Sequence, residues 1–141
     1  MIVLDTNVLS ELMRASPERR ALAWVNAQPA SQLYTTSVSE AEIRAGIAML
    51  PKGKRRDALA AAADAMFEVD LGGRVLPFAR EAARVYALIL TSRGRSGRPI
   101  SAFDAQIAAI CRAADARLAT RNVADFDGCG LDVVDPWSAR G

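Results

Sequence analysis

The chain of 141 residues contains no histidine. Imidazole acid–base chemistry is therefore excluded, and with it the Ser-His-Asp and Cys-His arrangements and every histidine-bearing zinc site. Cysteine is nearly absent too. Cys111 and Cys129 have no metal-type spacing, so they read as reduced structural thiols. No apolar run is long enough to span a bilayer, and no basic segment precedes the apolar N-terminus as a signal peptide requires. A cytoplasmic protein with no membrane association is expected. The two signs of charge nearly balance, with 18 basic and 16 acidic side chains. The net charge of +2 is too small to argue for nucleic-acid binding by itself. Repeats, low-complexity tracts and domain linkers are missing, so one domain over residues 1–141 is expected. Any hydrolytic chemistry must rest on carboxylates, working with a hard metal ion.

What is present begins at the first residues. Ile2-Val-Leu4 is a short, wholly apolar run suited to a central strand buried on both faces. Asp5 follows at once, and Leu9, Leu12 and Met13 then take helical spacing. Asp5 has two readings, as the cap of that helix or as a carboxylate at the carboxyl end of a strand, where open parallel sheets bind ligands. Ser16-Pro17 has the form of a cap with proline at the first helical position, opening a helix that runs to about Ala27. Residues 33–36 read as a second strand. Ser37-Val-Ser-Glu40 reads as a capping box before a helix with Ile43, Ile47 and Leu50 on one face.

A helix is expected from about Lys54 to Phe67, and a turn over 70–74. Val75-Leu76 reads as a brief extended piece. The next helix is expected from Phe78 to about Ser92, then a flexible basic loop over 93–99. Ser101 caps a helix with the stripe Phe103, Ile107, Ile110 and Ala114. Strands at 118–120 and 131–134 complete an alternation of strands and helices. The expected fold is α/β, a short central parallel sheet of about four to five strands flanked by several helices.

If the strands are parallel, Asp5, Glu42, Asp104, Asn122 and Asp125 fall near one edge of the sheet. Carboxylates gathered there repel one another unless a cation is present, and oxygen ligands suit Mg²⁺ or Mn²⁺. Glu42 sits beside the buried stripe rather than opposite it, a poor place for a purely solvating charge. Glu40 is assigned to the capping box. Asp104, three residues after Ser101, also has a capping reading, while Asn122 and Asp125 have turn-stabilising readings. Asp115, Asp127 and Asp132 read as surface. Two basic clusters could track phosphates, Lys52 to Arg56 and Arg93, Arg95 and Arg98, although each also reads as a solvated surface.

These segments carry a resemblance. Ile2-Val-Leu-Asp5-Thr-Asn7, Ala41-Glu42-Ile43-Arg44 with Gly46, Ser101-Ala-Phe-Asp104-Ala-Gln-Ile107, Thr120-Arg-Asn-Val-Ala-Asp125-Phe126 and Val134-Asp-Pro-Trp137 stand in order along the chain. The sequence resembles the PIN-domain ribonucleases, specifically the VapC-type toxins of bacterial toxin–antitoxin pairs, including the FitB-like branch. The resemblance implies a PIN-like fold and a Mg²⁺-dependent endoribonuclease, with Mn²⁺ able to substitute. Asp5, Glu42 and Asp104 match the family's acids, as metal ligands and catalytic groups, and Asp125 is a fourth, catalytic candidate. Thr6, Asn7, Thr120 and Asn122 take supporting places. Some relatives carry aspartate where this chain has Asn122, which coordinates only through its carbonyl oxygen. Arg44, Arg121, Arg93, Arg95 and Arg98 are candidates for holding RNA. The implied partners are RNA, a cognate antitoxin, a second copy of the chain and, with antitoxin, operator DNA. Two alternatives stand beside this reading. One is a haloacid-dehalogenase-like phosphohydrolase, disfavoured because Asn7 replaces the second acid. The other is a non-catalytic PIN-like binding module.

Overall fold

The computed structural model describes residues 1–139. Five strands form one sheet: β1 (Ile2–Leu4), β2 (Leu33–Thr36), β3 (Val75–Leu76), β4 (Arg117–Ala119) and β5 (Val133–Val134). Their order is β3-β2-β1-β4-β5, and every pairing is parallel. The expected parallel α/β sheet is present, with Val75-Leu76 as a full member, so the strands expected third and fourth are β4 and β5. Successive residues of a strand point to opposite faces. Val3 and Leu118 therefore enter a core under the later helices, with Val38, Ile107, Ile110 and Phe126. Leu4 and Ala119 enter a second core on the other face, with Val8, Leu9, Trp24, Met66 and Phe67.

Six helices cover the two faces: α1 (Thr6–Leu12), α2 (Arg19–Asn26), α3 (Ser37–Ala48), α4 (Lys54–Ala65), α5 (Arg80–Arg95) and α6 (Ala102–Ala113). The helix expected over 54–67 ends sooner and passes into a π-helical turn, Met66–Asp70, which carries Phe67 into the core. Phe78 precedes α5 and stays at the surface, edge-on to Tyr86. Phe103, expected in the buried stripe of α6, is 58% exposed, while Ile107 and Ile110 are buried as the spacing requires. α6 ends at a left-handed Asp115 (φ 52°), and the Ala116 N–H closes the turn on the Cys111 carbonyl at 2.8 Å. Both cysteines are free and buried.

Two expected caps are displaced. The cap of α2 is Glu18, whose side chain accepts from the Ala21 N–H, and not Ser16. At α3 the cap is Thr36, the last residue of β2, whose hydroxyl accepts from Ser39 N–H at 3.0 Å. The box is therefore one residue out of register. Glu40 takes no part in it and accepts instead from Arg44 Nε at 2.7 Å.

The basic loop is also corrected. α5 continues through Arg95, and Arg93 lies inside it, only 6% exposed. Its guanidinium donates to the carbonyls of Arg98, Asp125 and Asp127, at 2.6, 2.8 and 2.9 Å. A buried cation is costly unless hydrogen-bonded, and these three carbonyls meet its Nε and Nη1 while tying the two loops on this side of the sheet together.

Candidate active site

In an open parallel sheet the ligand crevice forms at the carboxyl ends of strands, where the connections on either side lead away from each other. Here that point lies between β1 and β4. Asp5 directly follows β1 and Thr120 directly follows β4. The Asp5 N–H donates to the Ala119 carbonyl at 2.9 Å, which extends the strand pairing and fixes the acid at the sheet edge. Asp5 caps α1 and also stands at the carboxyl end of β1. Its Oδ1 caps α1 by accepting from Thr6 N–H at 2.8 Å, and its Oδ2 accepts from the Thr120 hydroxyl at 2.7 Å.

Thr120 is wholly buried and acts as a junction. Its oxygen also accepts from Asn7 Nδ2 and from the Asn122 N–H, each at 3.1 Å. Asn7 Oδ1 accepts from the Arg121 N–H at 3.1 Å. Asn7 is thus a structural tie between α1 and the segment after β4. It has no acid–base part, and the phosphohydrolase alternative loses its second acid. The Thr6 hydroxyl donates to Glu42 Oε1 at 3.0 Å and lies at the same distance from Ser39 Oγ, which links α1 to α3. Asp104 stands in the first turn of α6, whose cap is Ser101; its own N–H donates to Ser101 Oγ at 3.2 Å. Its carboxylate stays close enough to Ser101 for that side chain to oppose the effect of burial on it.

Asp5, Glu42 and Asp104 line one cleft of about 510 Å³. Thr6, Asn7, Arg121 and Asn122 line it as well. Asp5 is 4% exposed, and burial pushes its carboxyl up to about 6, the charges of Asp104 and Glu42 adding to the effect and the Thr120 and Thr6 hydrogen bonds opposing it. Burial raises Asp104 too, with Asp125 as a like charge nearby. Among the described residues no three acids form a ready-made metal cluster. The acids face a shared space rather than one another.

Several expected residues lie elsewhere. Asp125, a catalytic candidate, is exposed on the 3-10 turn Val123–Phe126, outside the cleft lining. Arg44 is held by Glu40 and Asp64 and lies over the Phe67 ring, fastening α3 to α4. Arg98 pairs with Asp127 at 2.6 Å, Arg93 is buried, and Arg95 is exposed on the last turn of α5. Of the five arginines expected to hold RNA, only Arg121 lines the cleft.

Four lining residues were not among the expected site residues: Ser10, Glu11, Arg14 and Trp137, the last named only as the close of the Val134-Asp-Pro-Trp137 segment. The first three were detectable, because they follow Asn7 at steps of three and four and so share its helical face. Glu11 is 7% exposed and accepts from Arg14 and from the Glu18 N–H. Trp137 belongs to no periodic segment, and only the tertiary path brings it here. An apolar groove of about 800 Å³ adjoins the cleft, sharing Thr6, Ser10, Arg14 and Glu42 with it and lined further by Met13, Ile43 and Ile47.

Comparison with known proteins shows the family and the fold. The PIN domain family profile matches residues 2–127. The chain is 43% identical to the VapC ribonuclease Y4jK of Sinorhizobium fredii, over 97% of this chain and 98% of that one. It is 34% identical to Toxin FitB of Neisseria gonorrhoeae, over 97% and 99%. A solved structure of FitAB bound to an IR36 DNA fragment superposes with a TM-score of 0.92 at 33% identity, covering 100% of this chain and 99% of that one. A carboxylate cleft at the β1–β4 edge, on a sheet of this order and in a chain of this likeness, places the protein in the PIN-domain family, among the VapC- and FitB-type toxins.

Proposed function

We propose that this protein is a Mg²⁺-dependent endoribonuclease, the toxin of a toxin–antitoxin pair, acting in the cytoplasm as a single domain over residues 1–141. The observation that carries this is the convergence of Asp5, Glu42 and Asp104, from three separate helix starts, on one cleft. The likeness to a protein described as a VapC ribonuclease supports RNA as the substrate.

The residues fit a hard divalent cation. Every donor on the acid wall is oxygen, and Asp5 is buried beside like charges, which a cation would neutralise. Mg²⁺ keeps several waters and is commonly held by one or two carboxylates, so the lack of a three-acid cluster suits it. Asp5 and Asp104 would hold the ion, with Glu42 adjacent or joined through water, and Mn²⁺ would substitute. When bound, the ion supplies charge stabilisation and a lowered pKa for water. The chain's own part is orientation. Thr120 and Thr6 aim the Asp5 carboxylate, Thr6 also aims Glu42, and Asn7 and Asn122 hold Thr120 in place.

The test separates two neighbours on α3. Glu40 and Glu42 lie about 200° apart around the helix. Glu42→Gln should keep the fold and cut RNA at least about 100-fold more slowly. Glu40→Gln loses only a surface ion pair with Arg44 and should cleave nearly as wild type. Total cellular RNA with Mg²⁺, against an EDTA control, gives the readout. An active Glu42 variant beside a dead Glu40 variant would overturn the assignment, and activity in both would overturn the carboxylate mechanism. A non-catalytic binding module predicts no cleavage even by wild type.

The partners follow from the same likeness. The solved structure of FitAB bound to a DNA fragment supports a partner protein and a joint complex on DNA, and the proposal takes these as a cognate antitoxin and operator DNA, with a second copy of the toxin beside them. The apolar groove beside the cleft offers a seat for a segment of the antitoxin.

A further inference from the structure

An acid-lined cleft repels the backbone it must receive, so a cation at its rim has to draw the phosphates in. Most arginines near it are committed elsewhere. Arg14 is held by Glu11 at 3.2 Å, Arg44 by two carboxylates, Arg98 by Asp127, and Arg93 is spent on buried carbonyls. Arg121 differs. It lines the cleft and makes no ion pair among the described residues. Its backbone N–H is fixed on Asn7 Oδ1, two residues from Asp5. Its guanidinium carbon lies 5.0 Å from the centre of the Trp137 ring.

Trp137 is itself set firmly. It follows the buried Pro136, and its backbone N–H donates to Asp135 Oδ1 at 2.8 Å. Its indole N–H is buried and has no hydrogen-bond partner among the described residues. The polar handle that often justifies tryptophan over phenylalanine is therefore unused, and the broad π face remains. That face is the best aromatic partner for a cation. A guanidinium stacked on it keeps its in-plane N–H fork for an oxyanion.

We infer that Arg121 is the phosphate clamp of this cleft, gripping a phosphodiester of single-stranded RNA beside the bond to be cut, and that Trp137 is the positioning residue that holds the guanidinium at the rim. This rests on the ribonuclease reading above. It assigns the capture of the backbone to a stacked pair formed by the segments after β4 and β5, and not to the basic residues of α5 and its following loop.

The experiment uses a mixed-sequence 20-nucleotide single-stranded RNA, fluorescein-labelled. Cleavage with Mg²⁺ gives kcat and KM, and anisotropy with Asp5→Asn protein over a range of KCl gives binding without cleavage. Arg121→Gln should raise KM about tenfold with kcat little changed, and should flatten the plot of log K against log salt by about 0.7. Trp137→Leu should act in the same direction by about two- to fivefold, and Trp137→Phe should restore most of the loss. Arg121→Lys should keep the salt slope. A merely structural Trp137 would lower thermal stability and kcat while leaving the salt slope as it was, and that result overturns the proposal. So does a wild-type KM in Arg121→Gln. If Trp137→Leu does not fold, Arg121→Gln and Trp137→Phe decide alone. A wild-type protein that neither binds nor cuts the RNA refutes the ribonuclease reading itself, which an active wild type with a neutral Arg121→Gln does not.

Discussion

Asp5 is a buried carboxylate held in a geometry that suits its charge and an environment that opposes it. Its carboxyl lies at about 6 in the folded chain, against an ordinary value of 3.8. The folded protein therefore keeps this proton better than the unfolded chain between those two values. By linkage, the stability this contributes is fully present below the unfolded value and is lost as pH rises through about 6. Above that the ionised group costs on the order of 1–3 kcal/mol. Without metal, Asp5→Asn should thus melt above wild type at pH 8 in EDTA, and the advantage should vanish near pH 4. A wild type that melts higher at both values contradicts the account. The gain will be partial, because an amide nitrogen facing Thr120 cannot accept its hydroxyl proton.

At the scale of elements, the site depends on how helices begin. α1, α3 and α6 each start within a few residues of a cleft-lining acid, so their caps hold the turns that carry the acids. Thr36→Val removes a buried cap and leaves the Ser39 N–H unpaired, and should cost about 1–2 kcal/mol in urea denaturation. Ser37→Ala, at the position expected to cap, should cost much less. Arg93 plays the corresponding part for the loops. Arg93→Met leaves the carbonyls of Arg98, Asp125 and Asp127 without their shared donor. It should destabilise by on the order of 2–5 kcal/mol, and Arg93→Lys, which lacks the fork, should recover only part.

At the scale of the whole molecule, the proposed function has metal and antitoxin competing for one charge field. Mg²⁺ or Mn²⁺ should raise the melting temperature of wild type, by about 2.7 kcal/mol in stability at a hundred times its Kd. Asp5→Asn should show a much smaller shift, and equal shifts would remove Asp5 from the metal site. An antitoxin seated in the adjoining groove should carry a basic side chain to Asp5 and Asp104, since arginine is a natural non-metal occupant of such a cluster. A structure of the inhibited complex with both acids open to solvent would refute this.

Fold class and the grouping of the three cleft acids were legible from the residues alone. The run Ile2-Val-Leu4, the helical spacing after it and the alternation of strands with helices suffice for a parallel sheet, because a short strand buried on both faces has to be apolar throughout. In a parallel sheet the ends of β1 and β2 and the start of the helix running back into β4 share one edge, so Asp5, Glu42 and Asp104 could be grouped by position, together with Asp125, which the structure leaves outside the cleft. Tertiary structure decided what each polar side chain does. Whether Thr36 or Ser37 caps α3 turns on one residue of strand length, which β2–β3 pairing sets. Arg93 resembled a solvent-facing loop residue until α5 ran on beneath the 122–129 segment and buried it. Arg44 reaches Asp64 only because α3 lies against α4, whereas its pair with Glu40 is an i,i+4 contact within α3. Trp137 reaches Arg121 only because β5 lies beside β4. Periodicity reports which face of an element is apolar; it carries no information about which polar groups from distant segments will meet, since those contacts depend on how the elements pack.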